Sequence, residues 1–274
     1  ILHNGAINKS RRGKVMSALL LSLIESEPDL DSDAMTLIRD INTRVERALE
    51  REDKGGFADQ IKLNPPASED NYTKFRNALV KTIRELKDMN IQSAMNSSAD
   101  VLGEFYEVFL KYGNGAKEIG IVLTPRHVTN FAAEVIDVDH KDIVYDPTCG
   151  TGGFLVAAFD RVRQNSNQTQ IDKFKEHKLF GIDQEPEVLS LAIVNMIFRG
   201  DGKNNIKEAN CFHNHLTKAS KRGIETAEYV KDNEEHEPPI TKVLMNPPFS
   251  LNDPDEKAYR FVERTLGEME DGGT

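Results

Sequence analysis

Asp146-Pro147-Thr148-Cys149-Gly150-Thr151-Gly152-Gly153-Phe154 is the stretch on which the fold reading turns. Ahead of it, Ile143-Val144-Tyr145 reads as a short buried strand, and from about Phe154 a helix follows. Glycines between a strand and a helix let the backbone turn tightly and approach a ligand closely. A phosphate loop would end in Gly-Lys-Ser/Thr; this one runs Gly153-Phe154-Leu155, which argues against a P-loop. A dinucleotide fingerprint would want Gly or Ala where Leu155 stands and an acid about 20 residues on, and Asp183 lies further away. A plain structural turn is the competing reading of the loop.

Outward from this stretch, strands and helices alternate. Leu179-Phe180-Gly181-Ile182 predicts a second strand, Glu187 to Phe198 a helix, Ile206 to Cys211 a third strand and Lys242-Val243-Leu244-Met245 a fourth. Such alternation implies a parallel, doubly wound α/β sheet. The polar segment from Asn214 to Pro239 reads as a long surface loop. Upstream, Thr124-Pro125 looks like an N-cap followed by proline at the first helical position, with Val128, Phe131, Ala132, Val135 and Ile136 continuing as a helix face. Before about Tyr112 the chain reads helical. Val15, Ala18, Leu19, Ser22 and Leu23 form one stripe; Phe75, Leu79, Ile83 and Leu86 a second; Val101, Leu102, Phe105, Tyr106, Phe109 and Leu110 a third. The expected organisation is an N-terminal helical domain over 1–112 and an α/β domain over 113–274.

The chain starts at Ile1 and ends Glu270-Asp271-Gly272-Gly273-Thr274, where a Gly-Gly turn points into another strand; the expectation is a fragment whose sheet is incomplete at the C-terminus. With 38% hydrophobic and 29% charged residues the chain reads as globular rather than disordered. Its longest apolar run, Ala18-Leu19-Leu20-Leu21, is far too short to span a bilayer, so no membrane association is expected. Cys149 and Cys211 lack metal-ligand spacing and suit a reducing, cytoplasmic compartment. A net charge of -10 counts against strong nucleic-acid binding by this chain alone, because phosphate affinity needs Lys and Arg. A DNA enzyme of this balance must cluster its basic groups or borrow a basic partner.

Two further motifs carry chemistry. Asp183 ends the second strand, where a carboxylate beside a Gly-rich loop can accept hydrogen bonds from ribose hydroxyls; a solvated turn acid is the bland alternative. Asn246-Pro247-Pro248-Phe249 directly follows the fourth strand. Pro-Pro stiffens the backbone and cannot continue a ladder. The Asn246 and Pro247 carbonyls can both accept from one exocyclic amino group, aiming its lone pair at an electrophile. Phe249 can stack on the flat base that carries the amine, which must first leave its duplex. The alternative is a strand-ending turn with an aromatic plug. His127, His213 and His215 read as ordinary histidines, and no metal site is expected.

The order Thr124-Pro125-Arg126, then Asp146 to Gly153, then Asn246-Pro247-Pro248-Phe249 resembles the gamma class of amino-methyltransferases, most of all the modification subunit of type I restriction-modification systems. Gly103-Glu104-Phe105-Tyr106-Glu107 fits that family's helical lead-in, and the resemblance covers roughly residues 100–274. It implies a Rossmann-like S-adenosylmethionine-dependent methyltransferase fold and methylation of the N6 amine of adenine in DNA. Thr124, Pro125 and Arg126 would line the methionine end of the cofactor. Asp146, Thr148, Gly150 and Gly152 would approach its amino-acid part. Asp183 would hold the ribose, and Asn246 and Pro247 the target amine, followed by Pro248 and a stacked Phe249. The family's third strand often ends in an Asp toward the adenine amine; here the counterpart is Asn210, with Cys211 or Phe212 beside the ring. Implied partners are double-stranded DNA with a flipped adenine, a specificity subunit and a restriction subunit. The sulfonium methyl is already electrophilic, so the chemistry requires no metal and no covalent enzyme intermediate. Competing readings are methylation of a glutamine amide or an RNA base amine, a non-catalytic assembly module, and a parent chain fused to a nuclease.

Overall fold

The computed structural model describes residues 2–5, 7–8, 11–91, 108, 124–200, 205–231, 234, 237–248 and 257–274. The chain clusters into two compact units, residues 1–122 with 194–202, and residues 123–193 with 203–274. The third apolar stripe and the lead-in Gly103–Glu107 lie outside the described residues.

In the first unit, α1 (Arg12–Glu25) buries Val15, Met16 and Ala18 to Leu21 together with Ser17 and Ser22. The two hydroxyls answer their own helix, Ser17 donating to the Gly13 carbonyl and Ser22 to that of Leu19, so neither is stranded in a helix apolar nearly all round. Packed on it is α2 (Ala34–Arg51), an amphipathic helix that the sequence reading did not single out. Asp33 starts it by accepting from the backbone N–H groups of Met35 and Thr36. After the short α3 (Ala58–Ile61), α4 (Tyr72–Asp88) buries Phe75, Leu79, Ile83 and Leu86, the predicted stripe. On its outer side Arg76, Lys81 and Arg84 gather at an open groove of about 480 Å³ beside Asp31.

The second unit is built on a four-stranded sheet of β1 (Val144–Asp146), β2 (Leu179–Asp183), β3 (Asn205–Glu208) and β6 (Lys242–Val243), in the order β3-β2-β1-β6, all parallel. Val144, Tyr145, Leu179, Phe180 and Ile182 are buried, so the strands read as continuous apolar runs rather than alternating ones. The crossover from β1 to β2 uses α6 (Gly153–Asn165) and α7 (Gln168–His177), and that from β2 to β3 uses α8 (Pro186–Phe198). Asn167 and Gln170 form a reciprocal capping box at the start of α7, a helix absent from the sequence reading. The strand order reverses at β1, which makes its carboxyl end the switch point where such sheets bind ligands.

Three expectations change. The segment from Asn214 onward is not a surface loop but an antiparallel hairpin, β4 (Asn214–Lys221) and β5 (Ile224–Lys231). Arg222 and Gly223 both take positive φ, the geometry that a two-residue hairpin turn demands. The hairpin is held by tertiary contacts that composition does not show. Leu216 and Ala227 enter the core, the Tyr229 hydroxyl lies 2.9 Å from the carbonyls of both Gly181 and Asn205, and Thr226 donates to the His177 carbonyl. Second, Pro125 rather than Thr124 sits at the N-cap of α5 (Arg126–Val135), with its carbonyl accepting from Val128 and Thr129. The Thr124 hydroxyl is instead engaged by a residue far along the chain. Third, the apolar face of α5 points outward: Phe131 and Val135 are 66% and 64% exposed, while Thr129 and Ala133 are buried.

Helix α9 (Ala258–Gly267) follows β6, and the last residue lies along the strand's outer edge, with Thr274 N–H donating to the Thr241 carbonyl and Val243 N–H to the Thr274 carbonyl. Among the described residues no helix is long and apolar enough to cross a membrane.

Gly181, in the middle of β2, sets how closely α6 and the Gly-rich loop approach the sheet. A Cβ there would lie 2.7 Å from Leu155 Cδ1 and 3.2 Å from Cys149 Cβ. Both neighbours are buried and have nowhere to move. Gly181→Ala is expected to lower stability by about 1–3 kcal/mol through overpacking. Urea denaturation should show a lower midpoint at unchanged slope; an unchanged midpoint would refute the close-packing account.

Candidate functional site

The functional motifs assemble at the carboxyl edge of the sheet. β1 delivers Asp146 and the Gly-rich loop, β2 delivers Asp183, β3 leads to Asn210 and β6 leads to Asn246. Because all four strands run parallel, residues scattered over 100 positions of sequence emerge on one side.

The loop is shaped by backbone bonds. Cys149 N–H donates to the Ile182 carbonyl at 2.9 Å and Gly152 N–H to the Cys149 carbonyl at 2.7 Å. Gly150 and Gly152 hold φ of 56° and 81°, a left-handed backbone that favours glycine. Gly152 also lies against Ala192 of α8, where a Cβ would sit 3.4 Å from the alanine methyl. It opens α6 without any side-chain cap, so the first N–H groups of the helix face the loop rather than a capping side chain.

The two acids differ. Asp146 is 1% exposed, with one carboxyl oxygen accepting from Thr148 N–H at 3.0 Å. Burial, aided by the nearby Asp183 charge, pushes its pKa up to about 8 despite that bond. Asp183 is part-buried and accepts from Gly150 N–H and Glu185 N–H, each at 2.9 Å. Burial raises its pKa as well, and the two backbone bonds oppose the rise. A carboxylate has about four acceptor sites, so two such bonds leave room for hydroxyl donors. Thr148 Oγ1 is buried without a hydrogen-bond partner, a polar atom waiting in the loop next to Asp146.

Asn246 lies two residues beyond the point where Leu244 N–H bonds the Tyr145 carbonyl, beside the end of β1. Its side-chain Nδ2 donates to Thr124 Oγ1 at 3.1 Å. That bond uses one of the amide's two N–H donors, and Oδ1 is its acceptor. Pro247 is part-buried and Pro248 exposed. Phe249 lies outside the described residues.

Other singled-out residues take structural partners. Arg126 pairs with Asp160 of α6 at 3.2 Å, a buried carboxylate that Arg163 also reaches, so its guanidinium pins α5 to α6. Asn210 Oδ1 accepts from Phe212 N–H and caps the short turn Cys211–His213. Ala209 N–H bonds the Asp183 carbonyl at 3.1 Å, which sets this turn beside the β2 end. Cys211 is buried, and Phe212 packs on Phe261 at 4.7 Å between ring centres. His213 is exposed, whereas His215 is buried against Glu268. The sequence reading missed Gly181, the Thr124–Asn246 link and the His215–Glu268 contact. Of these only Gly181 carried a local signal, a glycine inside an apolar strand.

Between about pH 4 and pH 8 the folded chain keeps a proton on Asp146 that the unfolded chain has released. The stability tied to this group therefore falls as pH rises across that window and levels off above it. Asp146→Asn, which stays neutral throughout, should flatten that part of the profile relative to wild type in thermal melts of the ligand-free protein at pH 5, 6, 7 and 8. Parallel profiles for the two proteins would contradict the burial argument.

Known proteins resemble this chain in sequence and fold. The family model for N-6 DNA methylase matches residues 97–272. The type II restriction enzyme and methyltransferase RM.BcgI of Heyndrickxia coagulans is 31% identical over 98% of this chain and 43% of its own length. The methylase subunit of the type I restriction enzyme EcoEI of Escherichia coli is 33% identical over 47% of this chain and 26% of its own. The chain thus spans less than half the length of either relative. Among solved structures, a chain from a type I R-M system studied for its complex assembly superposes with TM-score 0.64 at 19% identity, covering 98% of this chain and 58% of that one. The type I restriction-modification methyltransferase subunit of Streptococcus thermophilus gives 0.53 at 16% identity, covering 95% and 66%. These likenesses, with the parallel sheet, identify the fold as a Rossmann-like methyltransferase fold. With a family model that spans the Gly-rich loop, the strand-end acid and the Asn-Pro-Pro turn, the chain belongs to the N-6 DNA methylase family.

Proposed function

We propose that this chain is the cofactor-binding and catalytic part of a site-specific DNA methyltransferase, which moves a methyl group from S-adenosylmethionine to the N6 amine of adenine within a restriction-modification system. The observation that carries the reading is the Asn246 amide, held by Thr124 at the carboxyl edge next to the Gly-rich loop. Residues 113–274 form the catalytic domain and 1–112 an accessory helical domain.

The residues present fit the cofactor. Gly150 leaves the loop open, where a Cβ would meet only the Thr148 carbonyl at 4.0 Å, and Gly152 lets the loop pack close to Ala192. Asp146 and the unpartnered Thr148 hydroxyl offer polar groups to the amino-acid end. An ammonium beside Asp146 would favour its ionised form and offset part of the burial cost. Asp183 has acceptor capacity left for ribose hydroxyls, and the turn at Asn210 borders the base end. Since Asn210 Oδ1 already caps that turn, any bond to the adenine amine would use its remaining lone pair. Thr124 acts through Asn246, and Arg126 through the ion pair that fixes α5.

When bound, the cofactor supplies an electrophilic methyl on its sulfonium. The chain's own part is alignment. Asn246 Oδ1 and the Pro247 carbonyl accept the two N–H bonds of the target amine, draw its lone pair out of conjugation and aim it. Pro247 and Pro248 stiffen this acceptor pair. Phe249 stacks on the flipped base, as the family resemblance implies. Double-stranded DNA, a specificity subunit and a restriction subunit are the partners in this reading. The acidic chain leaves most DNA affinity to those partners, with the cations of α4 as its own contribution. Two buried cysteines and a DNA substrate suit the cytoplasm.

Asp183→Ala is expected to weaken S-adenosylmethionine binding by about 1–3 kcal/mol, the scale of hydrogen bonds to a charged group. Calorimetry on the folded full-length protein measures it, and an unchanged affinity would remove Asp183 from the site. Asn246→Ala should retain cofactor affinity and lose roughly 10²–10³ in methylation rate. DNA methylated by the wild type, digested to nucleosides and read by mass spectrometry, should contain N6-methyladenine. N4-methylcytosine alone would overturn the base assignment, and full activity of the alanine variant would overturn the mechanism.

A further inference from the structure

Helix α9 meets the candidate site at both ends, and it does so through one face. Phe261, Arg264, Thr265 and Glu268 recur at helical spacing along it, with Glu268 capping its end. Thr265 Oγ1 lies 4.0 Å from the sulfur of Met245, the residue immediately before Asn246. The other three grip the segment that follows β3. Phe261 packs on Phe212. Arg264 Nε donates to the Cys211 carbonyl at 3.2 Å, and one terminal nitrogen to the Asn214 carbonyl at 3.3 Å. One Glu268 carboxyl oxygen accepts from Leu216 N–H at 3.1 Å, and the other meets His215 Nδ1 and Arg264 Nε.

The proton positions follow from this geometry. A guanidinium has only donors, and Arg264 reaches His215 Nε2 at 3.1 Å, so that nitrogen must accept. The imidazole proton therefore sits on Nδ1 and is donated to Glu268. Every link in the chain Arg264–His215–Glu268 then has a donor facing an acceptor. The Glu268 side chain is 3% exposed and that of His215 9%. Burying such a group is costly, and apolar packing often replaces a buried ion pair without loss of stability. Stability alone is thus a weak reason for its presence; a fixed geometry is the better one.

We infer that Glu268, with Arg264 and His215, forms a positioning cluster that sets the Cys211–Asn214 segment as the wall of the cofactor's base pocket. The inference rests on the methyltransferase reading. None of the three residues touches the reacting atoms. They act through the backbone of the turn beside Asp183.

The test compares Arg264→Lys and Glu268→Gln in the full-length protein. Arg264→Lys keeps a charge beside Glu268 but loses the fork to two carbonyls. Each variant should raise Kd and KM for S-adenosylmethionine about tenfold, the loss expected for one hydrogen bond to a charged group. The kcat at saturating cofactor should stay within about twofold, since no transition-state contact is removed. The double variant should be little worse than either single one. Asn167→Ala, which removes the helix cap of α7, serves as the stability control and should leave Kd unchanged at a similar loss in Tm. Wild-type affinity in the folded variants, an equal rise in Kd for Asn167→Ala, or a fall in kcat at unchanged KM would each overturn the positioning role. Where Glu268→Gln does not fold, Arg264→Lys decides. A wild-type protein that binds no S-adenosylmethionine would bring down the function reading and this inference with it. Variants that bind as tightly as a binding-competent wild type bring down the inference alone.

Discussion

The hydrogen bond from Gly150 N–H to the Asp183 carboxylate ties the Gly-rich loop to the end of the neighbouring strand, and the rest of the site is arranged around it. Its geometry depends on close approach. Gly181 lets Leu155 and Cys149 sit directly on β2, and Cys149 N–H then reaches the Ile182 carbonyl. Only with the loop pressed to the sheet in this way can Gly150, at positive φ, turn its N–H to Asp183. Asp183 in turn is held from the other side by Glu185 N–H, and its carbonyl accepts from Ala209. One strand end thereby sets the loop after β1 and the turn after β3 together.

The same site gathers several unfavourable groups. Asp146 is buried with a single backbone donor, Thr148 Oγ1 is buried without a partner, and two carboxyl groups share one edge. A fold selected for stability alone would satisfy or expose such groups, as it does with Ser17 and Ser22 in α1. Polar groups left unanswered side by side at the carboxyl edge of a sheet are where a ligand would find partners. Elsewhere in the same unit a buried charge is fully answered: Glu268 has His215, Arg264 and Leu216 N–H around it. The two polar groupings thus differ in how far the protein itself satisfies them.

The hairpin β4–β5 adds a layer that ordinary alternation of strand and helix does not require. Its Tyr229 hydroxyl reaches the carbonyls of Gly181 and Asn205, on β2 and β3, and its ring stacks edge-on against Phe180 at 6.0 Å. An insertion between β3 and β6 thus braces the strand that carries Asp183. Its first strand also supplies His215 to the α9 cluster, so the hairpin is tied to both β2 and α9.

The identity of the motifs was legible in the chain alone, because each is local: a strand, a glycine turn and a helix within Ile143 to Phe159, an acid at a strand end, and Asn-Pro-Pro after a short apolar run. Parallel alternation then implied that all of them share one sheet edge, since parallel strands end on the same side. Local pattern failed where side chains answer distant groups. The hairpin lacks a clean apolar alternation: Leu216 and Ala227 join the core, buried Thr226 answers the His177 carbonyl, and Tyr229 reaches β2 and β3. Thr124 reads as a helix cap by its neighbours, yet its hydroxyl serves Asn246, 122 residues away. His215 and Glu268, 53 residues apart, look like two ordinary polar residues until α9 folds back over the turn. The sequence by itself therefore determined which motifs are present and on which edge they emerge. Only the tertiary structure decided which donor meets which acceptor, because hydrogen bonds act over about 3 Å and the chain brings such partners together only when it folds.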